Sequence, residues 1–227
     1  MPANRYYVET DLAQSVTQRI TLAGSEFQHL TRVMRASPGD TVELVDGRGH
    51  LATATLDSLS KKEAHFTPTS LHTEPPDTPL ILAQALPRPN RLATILEKGT
   101  ELGATTFLLF PGQRSERSTT SLDRAHAITI AALKQSGRLH LPQIELRPPL
   151  LEWTTLPAPS FIADLNATTP LQPTSPACIF IGPESGLTSQ EITHLTTLGA
   201  KPILLRHNIL RADTAALAAL TLLGAIK

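Results

Sequence analysis

Polar residues that could carry out chemistry concentrate in two segments near the C-terminal end of the chain. The segment Ile181–Thr188 (IGPESGLT) contains two glycines and Glu184 and follows an apolar run. The segment Leu204–Thr214 (LLRHNILRADT) contains Arg211 and Asp213 and leads into an alanine-rich stretch. Glycine lets a backbone come close to a ligand, and open α/β sheets bind ligands at the carboxyl ends of their strands. The two segments therefore predict a ligand site, although a tight turn and a helix cap would explain the same residues.

Several common site types are excluded by spacing. Gly182 and Gly186 are too close together for a phosphate-binding loop, Leu187 stands where that loop needs lysine, and no G-x-G-x-x-G occurs. The histidines show no metal-ligand spacing with cysteines or carboxylates, so no metal site is predicted. A serine hydrolase has no support, because no G-x-S-x-G elbow is present. Cys178 is the only cysteine, and its apolar run predicts a buried core residue. None of these exclusions applies to a site for an adenosine-type ligand.

The middle of the chain is basic, although the formal net charge of the whole chain is zero. Between Arg88 and Arg138 there are eight basic and four acidic residues. Arginine suits phosphate because its planar fork binds two oxygens, and a basic surface with a few aromatic residues fits RNA. A solvated charged face would explain the same pattern. The candidates for RNA binding are Arg5, Arg32, Arg35, Arg114, Arg117, Lys134 and Arg138.

Residues 1–70 predict a small β-barrel. Thr41–Val45 and Leu51–Leu56 alternate polar and apolar residues on either side of an Asp-Gly turn. A short helix is expected at about Glu26–Met34, and a further strand at Lys61–Phe66. The stretch Thr67–Pro79 is rich in proline and threonine, which predicts an irregular linker between two domains. With the first domain ending at residue 70 and the second beginning at residue 80, the linker itself is placed at residues 71–79.

Residues 80–227 predict an α/β domain with a mostly parallel sheet and helices on both faces. Strands are expected at residues 80–86, 106–110, 143–146, 160–165, 177–181 and 201–205. Helices are expected from a cap at Asn90 to Gly103, from Ser121 to Gly137, after the capping-box spacing of Thr188 and Glu191, and over about Asp213–Ile226.

The composition is typical of a globular protein, with 41% hydrophobic and 18% charged residues. The N-terminal residues lack a long apolar stretch behind a basic start, so no signal peptide is expected. No apolar run is long enough for a transmembrane helix. A cytoplasmic location is therefore predicted.

Six motifs taken together resemble the ribosomal RNA small subunit methyltransferase E family of the SPOUT superfamily. In chain order they are RVMR at 32–35 with PGD at 38–40, KGTELG at 98–103, SER at 115–117, QSGR at 135–138, IGPESGL at 181–187 and ILRADTA at 209–215. The resemblance spans nearly the whole chain. It implies an N-terminal PUA-like RNA-binding barrel, a C-terminal SPOUT methyltransferase domain with a deep trefoil knot, and a homodimer. It also implies methylation of a uridine at N3 in 16S rRNA of the small ribosomal subunit, with S-adenosylmethionine as the methyl donor.

The same resemblance suggests roles for individual residues. The cofactor would be bound by Leu165, Ile181, Gly182, Pro183, Glu184, Gly186, Leu205, His207, Asn208, Ile209 and Leu210. Arg211 or Arg138 would stabilise the developing uridine anion. Glu184, Glu101 or Asp213 would accept its proton. For Glu101, an ion pair with Lys98 on a helix surface is the simpler interpretation of the spacing alone.

The chain departs from the family pattern in two places. Ser185 replaces the first glycine of the pair that closes the family's glycine loop, which is tolerable if φ is negative. The triplet Arg206-His207-Asn208 stands where the family has glycine, a variable residue and arginine. This second change keeps an alternative open, namely a non-catalytic RNA-binding protein that retains the fold. In a third interpretation, a small-molecule α/β enzyme, the barrel and the arginine clusters would be coincidental.

Overall fold

The computed structural model describes residues 4–15, 18–157 and 159–224. The chain divides into a first unit, Met1–Asp77 with Leu133–Leu141, and a second unit, Thr78–Ala132 with Pro142–Lys227. The sequence did not predict that Leu133–Leu141 belongs to the first unit. The physical reason is packing, because Leu133 and Leu139 are buried in one apolar cluster with Val45.

The first unit contains a five-stranded sheet. Its strands are β1 (Arg5–Tyr7), β2 (Ile20–Leu22), β3 (Thr41–Val45), β4 (His50–Leu59) and β5 (Ala64–Thr73). They lie in the order β1-β3-β4-β5-β2, with β1 parallel to β3 and the other pairs antiparallel. Helix α1 (Gly24–Gln28) continues into a π-helical segment, His29–Val33, where the sequence predicted one short helix.

Strand β5 occupies the first half of the predicted linker, so the prediction that Thr67–Pro79 is irregular was wrong up to Thr73. Prolines were expected to prevent pairing, yet β5 pairs with β4 as far as Thr73 opposite His50. Pro68 is accommodated beside a shift in register between Thr53 and Ala54. Proline lacks a backbone N–H, and such an irregularity is one of the places where a ladder tolerates it. Only residues 74–79 remain outside a strand.

The second unit contains a six-stranded sheet in which every pair is parallel, as the sequence predicted. Its strands are β6 (Leu80–Ala85), β7 (Thr106–Phe110), β8 (Gln143–Leu146), β9 (Ser160–Ala163), β10 (Ala177–Ile181) and β11 (Lys201–Ile203). Their order is β11-β9-β10-β6-β7-β8. All five residues of β10 are buried, as expected for a strand covered on both faces.

Helices cover both faces of this sheet, which confirms the prediction. They are α2 (Pro89–Glu101), α3 (Leu122–Ser136), α4 (Ser189–Thr197) and α5 (Ala212–Leu223). Successive residues of a strand point to opposite faces. Ile179 accordingly packs in a cluster with Leu92 and Leu220, and Phe180 packs in another with Trp153 and Leu195. Among the described residues, no helix is long and apolar enough to cross a membrane.

The ends of two helices test the predicted caps. The capping box before α4 is confirmed, because the backbone N–H of Glu191 donates to Thr188 Oγ1 (3.2 Å) and that of Thr188 donates to Glu191 Oε2 (2.7 Å). The predicted cap at Asn90 was wrong. Helix α2 begins at Pro89 with Arg88 as its N-cap. Proline is favoured at the first helical position because its φ suits a helix and its missing N–H would have no partner there.

Cys178 is buried in the core, as predicted, and burial raises the pKa of its thiol to about 12. The thiolate is the reactive form of cysteine. We therefore expect the folded protein to resist a thiol-reactive aromatic disulfide at about pH 8, near the ordinary thiol pKa. After unfolding in guanidinium, one thiol per chain should react, since Cys178 is the only cysteine. Rapid reaction of the native protein would contradict this burial.

Candidate functional site

Three loops at the carboxyl edge of the parallel sheet surround a cavity of about 320 Å³, here called the loop cavity. The loops follow the adjacent strands β9, β10 and β11. Small-molecule sites in proteins span roughly 300–1,000 Å³, and this edge is where α/β sheets bind ligands. The wall is formed by Ala163, Asp164, Leu165, Ile181, Gly182, Pro183, Glu184, Ser185, Gly186, Leu187, Leu204, Leu205, Arg206, Asn208, Ile209, Leu210, Ala212 and Ala215.

The loop cavity brings together all the predicted cofactor-binding residues except His207. The side chain of His207 is exposed, and the residue lies outside the wall between Arg206 and Asn208, which belong to it. Eight wall residues were not predicted from the sequence, namely Ala163, Asp164, Ser185, Leu187, Leu204, Arg206, Ala212 and Ala215. Most of these residues are neighbours in the chain of the predicted ones. The position of each loop at the end of a strand could therefore have indicated them.

Strands β9 and β11 end two residues earlier than predicted. After Ala163 the chain turns, because Asp164 Oδ1 accepts a hydrogen bond from the backbone N–H of Asn166 (2.9 Å). Aspartate side chains favour such turns by bonding to the backbone two residues on. As a result Leu165 and Leu205 lie in loops, where they face the loop cavity.

The glycine loop Gly182–Gly186 depends on close backbone packing. A Cβ at Gly182 would lie 2.7 Å from the backbone nitrogen of Leu187, so a side chain there would clash with the main chain. Gly186 has φ +72°, a conformation that L-residues rarely adopt. At the start of the loop, Nε2 of the buried Gln84 donates to the carbonyl oxygen of Gly182 (3.1 Å). The loop is therefore fixed at both ends.

Ser185 fits this loop without backbone strain. Arg35 is the only described non-glycine residue with a positive φ, so Ser185 lies outside the left-handed region that would strain a residue with a side chain. Its Oγ donates to the carbonyl oxygen of Arg114 (3.0 Å), and Arg114 Nη1 donates to the carbonyl oxygen of Ser185 (3.1 Å). This departure from the family pattern adds a hydrogen bond that glycine cannot make.

Arg91 joins two of the candidate catalytic carboxylates. Its Nε lies 3.3 Å from Glu184 Oε1, and its Nη1 lies 2.8 Å from Asp213 Oδ1. The backbone N–H of Arg88 also donates to Glu184 Oε1 (3.1 Å). Because Glu184 belongs to the glycine loop and Asp213 to the first turn of α5, Arg91 ties the loop to this helix. The two carboxylates therefore share one guanidinium group.

The other candidate catalytic residues have different surroundings. Arg211 is the N-cap of α5 and is exposed; it flanks the loop cavity, because Leu210 and Ala212 belong to the wall. Glu101 lies outside that wall and pairs with Lys98 (2.8 Å), the surface ion pair that its spacing alone favoured. The hydrogen bonds that Lys98 donates, first to Glu101 and then to Glu97, raise the pKa of its ammonium group. Arg138 lies in the first unit.

The RNA-binding candidates of the first unit fall into two groups. Arg32 and Arg35 are exposed at the end of the π-helical segment, and Arg35 has φ +52°. Three others form ion pairs within this unit: Arg5 with Glu43, Lys134 with Glu26, and Arg138 with Asp77. The side chains of Arg5, Lys134 and Arg138 are only 9%, 16% and 13% exposed. This burial favours a structural role for these three.

One group of described residues has a composition that could ligate a metal ion. Ligand atoms of Asp11, Asp46 and His50 lie within 4.8 Å of one another in the first unit. Both carboxylate oxygens of Asp46 already accept backbone hydrogen bonds, from Leu12 on one side and from Arg48 and His50 on the other. These bonds explain the cluster as the structure of a turn.

Comparison with known proteins identifies both parts of the chain. Residues 73–224 match the RNA methyltransferase domain family, and residues 22–69 match the RNA methyltransferase PUA domain family. The class of protein is therefore an RNA methyltransferase with an N-terminal PUA domain.

Individual relatives narrow this class. The ribosomal RNA small subunit methyltransferase E of Synechocystis is 32% identical over 94% of this chain and 75% of its own length. That of Bacillus subtilis is 27% identical, with 96% and 94% covered. The crystal structure of the Neisseria gonorrhoeae enzyme of this name, bound to S-adenosyl methionine, superimposes with a TM-score of 0.83 at 28% identity, with 96% and 94% covered. The chain belongs to the ribosomal RNA small subunit methyltransferase E family.

Replacing Arg91 with methionine should loosen the glycine loop, because it leaves Glu184 and Asp213 without their shared cation. A loss of about 1–2 kcal/mol from the free energy of local opening accelerates amide exchange roughly 5- to 30-fold. Hydrogen exchange measured by mass spectrometry should show this acceleration over residues 182–186 and at the start of α5. The matched control is Arg88→Met, whose guanidinium, among the described residues, bonds to the exposed Glu116 and to neither Glu184 nor Asp213. Equal exchange in both variants would show that Arg91 does not tie the glycine loop to α5.

Proposed function

We propose that this protein transfers the methyl group of S-adenosylmethionine to N3 of a uridine in 16S rRNA of the small ribosomal subunit. The observation that carries the proposal is the loop cavity, which three loops form at the ligand-binding edge of the sheet. Family membership supports the reaction class, and the Neisseria relative with bound S-adenosyl methionine supports the cofactor. The position N3 and the residues that act there are parts of the proposal.

The residues of the loop cavity fit the cofactor. Leu165, Ile181, Leu205 and Leu210 provide apolar surface for the adenine ring, and the three loops offer backbone N–H and C=O groups to the ribose and the methionine tail. A Cβ at Gly182 would clash with the backbone of Leu187, so glycine there preserves the shape of this wall. His207, which is exposed and lies outside this wall, has no part in cofactor binding in this proposal.

The reaction requires a deprotonated uridine nitrogen and a positioned methyl group. The cofactor supplies an electrophilic methyl carbon on a sulfonium; when the bond from N3 to this carbon forms, the carbon–sulfur bond breaks and its electron pair stays on sulfur. Arg211, exposed beside the wall, stabilises the negative charge that develops on the uridine ring. Glu184 or Asp213 accepts the proton from N3, and Arg91 holds both in place. Arg138 and Glu101, each paired elsewhere, have no role in this step.

Three further features belong to the same proposal. The chain forms a homodimer, which is supported by the 84% exposure of Ile209, since a second subunit would cover such a side chain. Light scattering in solution measures the molar mass and so distinguishes a dimer from a monomer. The trefoil knot is supported by the SPOUT-type resemblance of the sequence and by the match in fold to the Neisseria relative. A cytoplasmic location follows from a ribosomal substrate.

Calorimetric titration with S-adenosylmethionine tests the cofactor site. We expect saturable binding of about one ligand per chain, and at least about tenfold weaker binding by Gly182→Ala, whose Cβ would clash with Leu187. Methyl transfer to unmodified small subunits, with the product nucleoside analysed for methylation at N3, tests the reaction. If the protein binds small subunits but not the cofactor, even with the subunits present, the non-catalytic RNA-binding alternative replaces this proposal.

Arg211→Ala tests the stabilisation of the uridine anion. Removal of one such charge or donor lowers kcat roughly 10²–10³-fold in well-studied enzymes. We expect a fall of this size in methyl transfer, with the affinity for S-adenosylmethionine unchanged. Lys201→Ala is the charge-matched control, because Lys201 is exposed at the first residue of β11, away from the loops. Near-normal methyl transfer by Arg211→Ala would remove this residue from the mechanism.

A further inference from the structure

The second unit contains another cavity, of about 140 Å³, here called the side cavity. Its floor is apolar, because the buried residues Leu86, Pro87, Leu92 and Leu96 line it together with Ala93. Its rim is polar. The polar residues of the rim are Arg117, Thr119, Thr120, Ser121 and Arg124.

The rim is positively charged. Arg117 and Arg124 are both exposed, and within the part of the chain that the structure describes neither forms an ion pair. Glu116 is the nearest acidic neighbour of Arg117 in sequence, but its carboxylate accepts hydrogen bonds from Arg88, which lower its pKa more than Arg117 does. Asp123 lies in the first turn of α3, where the helix dipole favours a negative charge. Two guanidinium groups are thus available to a polyanion.

One short backbone segment separates the side cavity from the loop cavity. The backbone N–H of Arg88 donates to Glu184 Oε1 (3.1 Å), and Glu184 lines the loop cavity. Pro87 and Pro89, the neighbours of Arg88 in the chain, line the side cavity. Adjacent nucleotides of one strand can therefore occupy the two cavities.

We propose that the side cavity binds the base of a nucleotide adjacent to the target uridine in single-stranded RNA, and that Arg117 and Arg124 contact the phosphates beside it. This inference rests on the proposed function. An apolar cavity of roughly 150 Å³ holds one benzene ring, so a planar base ring matches the floor in size and polarity. Proteins recognise single-stranded RNA through bases splayed out of the stack. Arginine forks bind phosphate oxygens.

The charge on the rim is tested with Arg124→Ala. Filter binding to unmodified small ribosomal subunits over a range of salt concentrations gives the slope of log affinity against log salt. Loss of one phosphate contact makes this slope shallower by about 1, and we expect this change for Arg124→Ala. Lys201→Ala removes the same charge from an exposed position outside the side cavity and should leave the slope unchanged. If Arg124→Ala binds more weakly but the slope is unchanged, Arg124 does not contact a phosphate. The side cavity would then bind a ribosomal protein instead of RNA, and the proposal would be overturned.

The floor is tested with Ala93→Phe, which fills the side cavity. We expect affinity for small subunits to fall about tenfold with an unchanged salt slope, because one base loses its place. Ala127→Phe is the matched control, since Ala127 is exposed on α3 and lies outside the cavity. Thermal unfolding checks that both variants fold; should Ala93→Phe fail to fold, Arg124→Ala decides alone.

The binding measurements do not depend on methyl transfer, so the two proposals can fail separately. If the wild-type protein binds small subunits but transfers no methyl group, the proposed function fails while the slopes still test the side cavity. If the wild-type protein is active and both variants bind like their controls, the side cavity proposal is overturned. If the wild-type protein does not bind small subunits, both proposals fall.

Discussion

The parallel pairing of β9 with both β10 and β11 is the constraint on which the candidate site depends. Parallel strands exit a sheet at the same edge, so three segments that are distant in the sequence become neighbours there. Burial of all of β10 anchors this arrangement in the core. None of the three loops would define a binding site alone. Together they form one cavity in which their residues can act on the same ligand.

The loops are held by polar contacts that arrive from elsewhere in the second unit. Gln84 fixes the start of the glycine loop, Ser185 and Arg114 fix its middle, and Arg91 ties Glu184 to α5. A binding site needs such support, because interactions that orient a ligand are effective only when they are in place before it binds. The departure at Ser185 is consistent with this, since the serine contributes a bond instead of a strain.

Local patterns were predictable from the sequence, and long-range packing was not. The capping box of Thr188 and Glu191 and the parallel sheet follow from short-range spacing and from alternating strands and helices. The ion pair of Lys134 with Glu26 joins residues 108 positions apart, and no pattern in the chain signals it. For the same reason the sequence did not predict that Leu133–Leu141 packs with the first unit. At Pro68 the expectation that proline prevents strand pairing was wrong. The shift in register of the β4–β5 pair beside this residue accommodates the missing N–H.

The burial of Cys178 has a practical consequence for studies in solution. Because the one native thiol is enclosed in the core, a cysteine introduced at an exposed position would be the only nucleophilic thiol accessible to a dye. Ala127, on the outer surface of α3, is one such position. A fluorophore could therefore be attached at a chosen site without first removing Cys178, and its emission would report on complexes formed by an otherwise native chain.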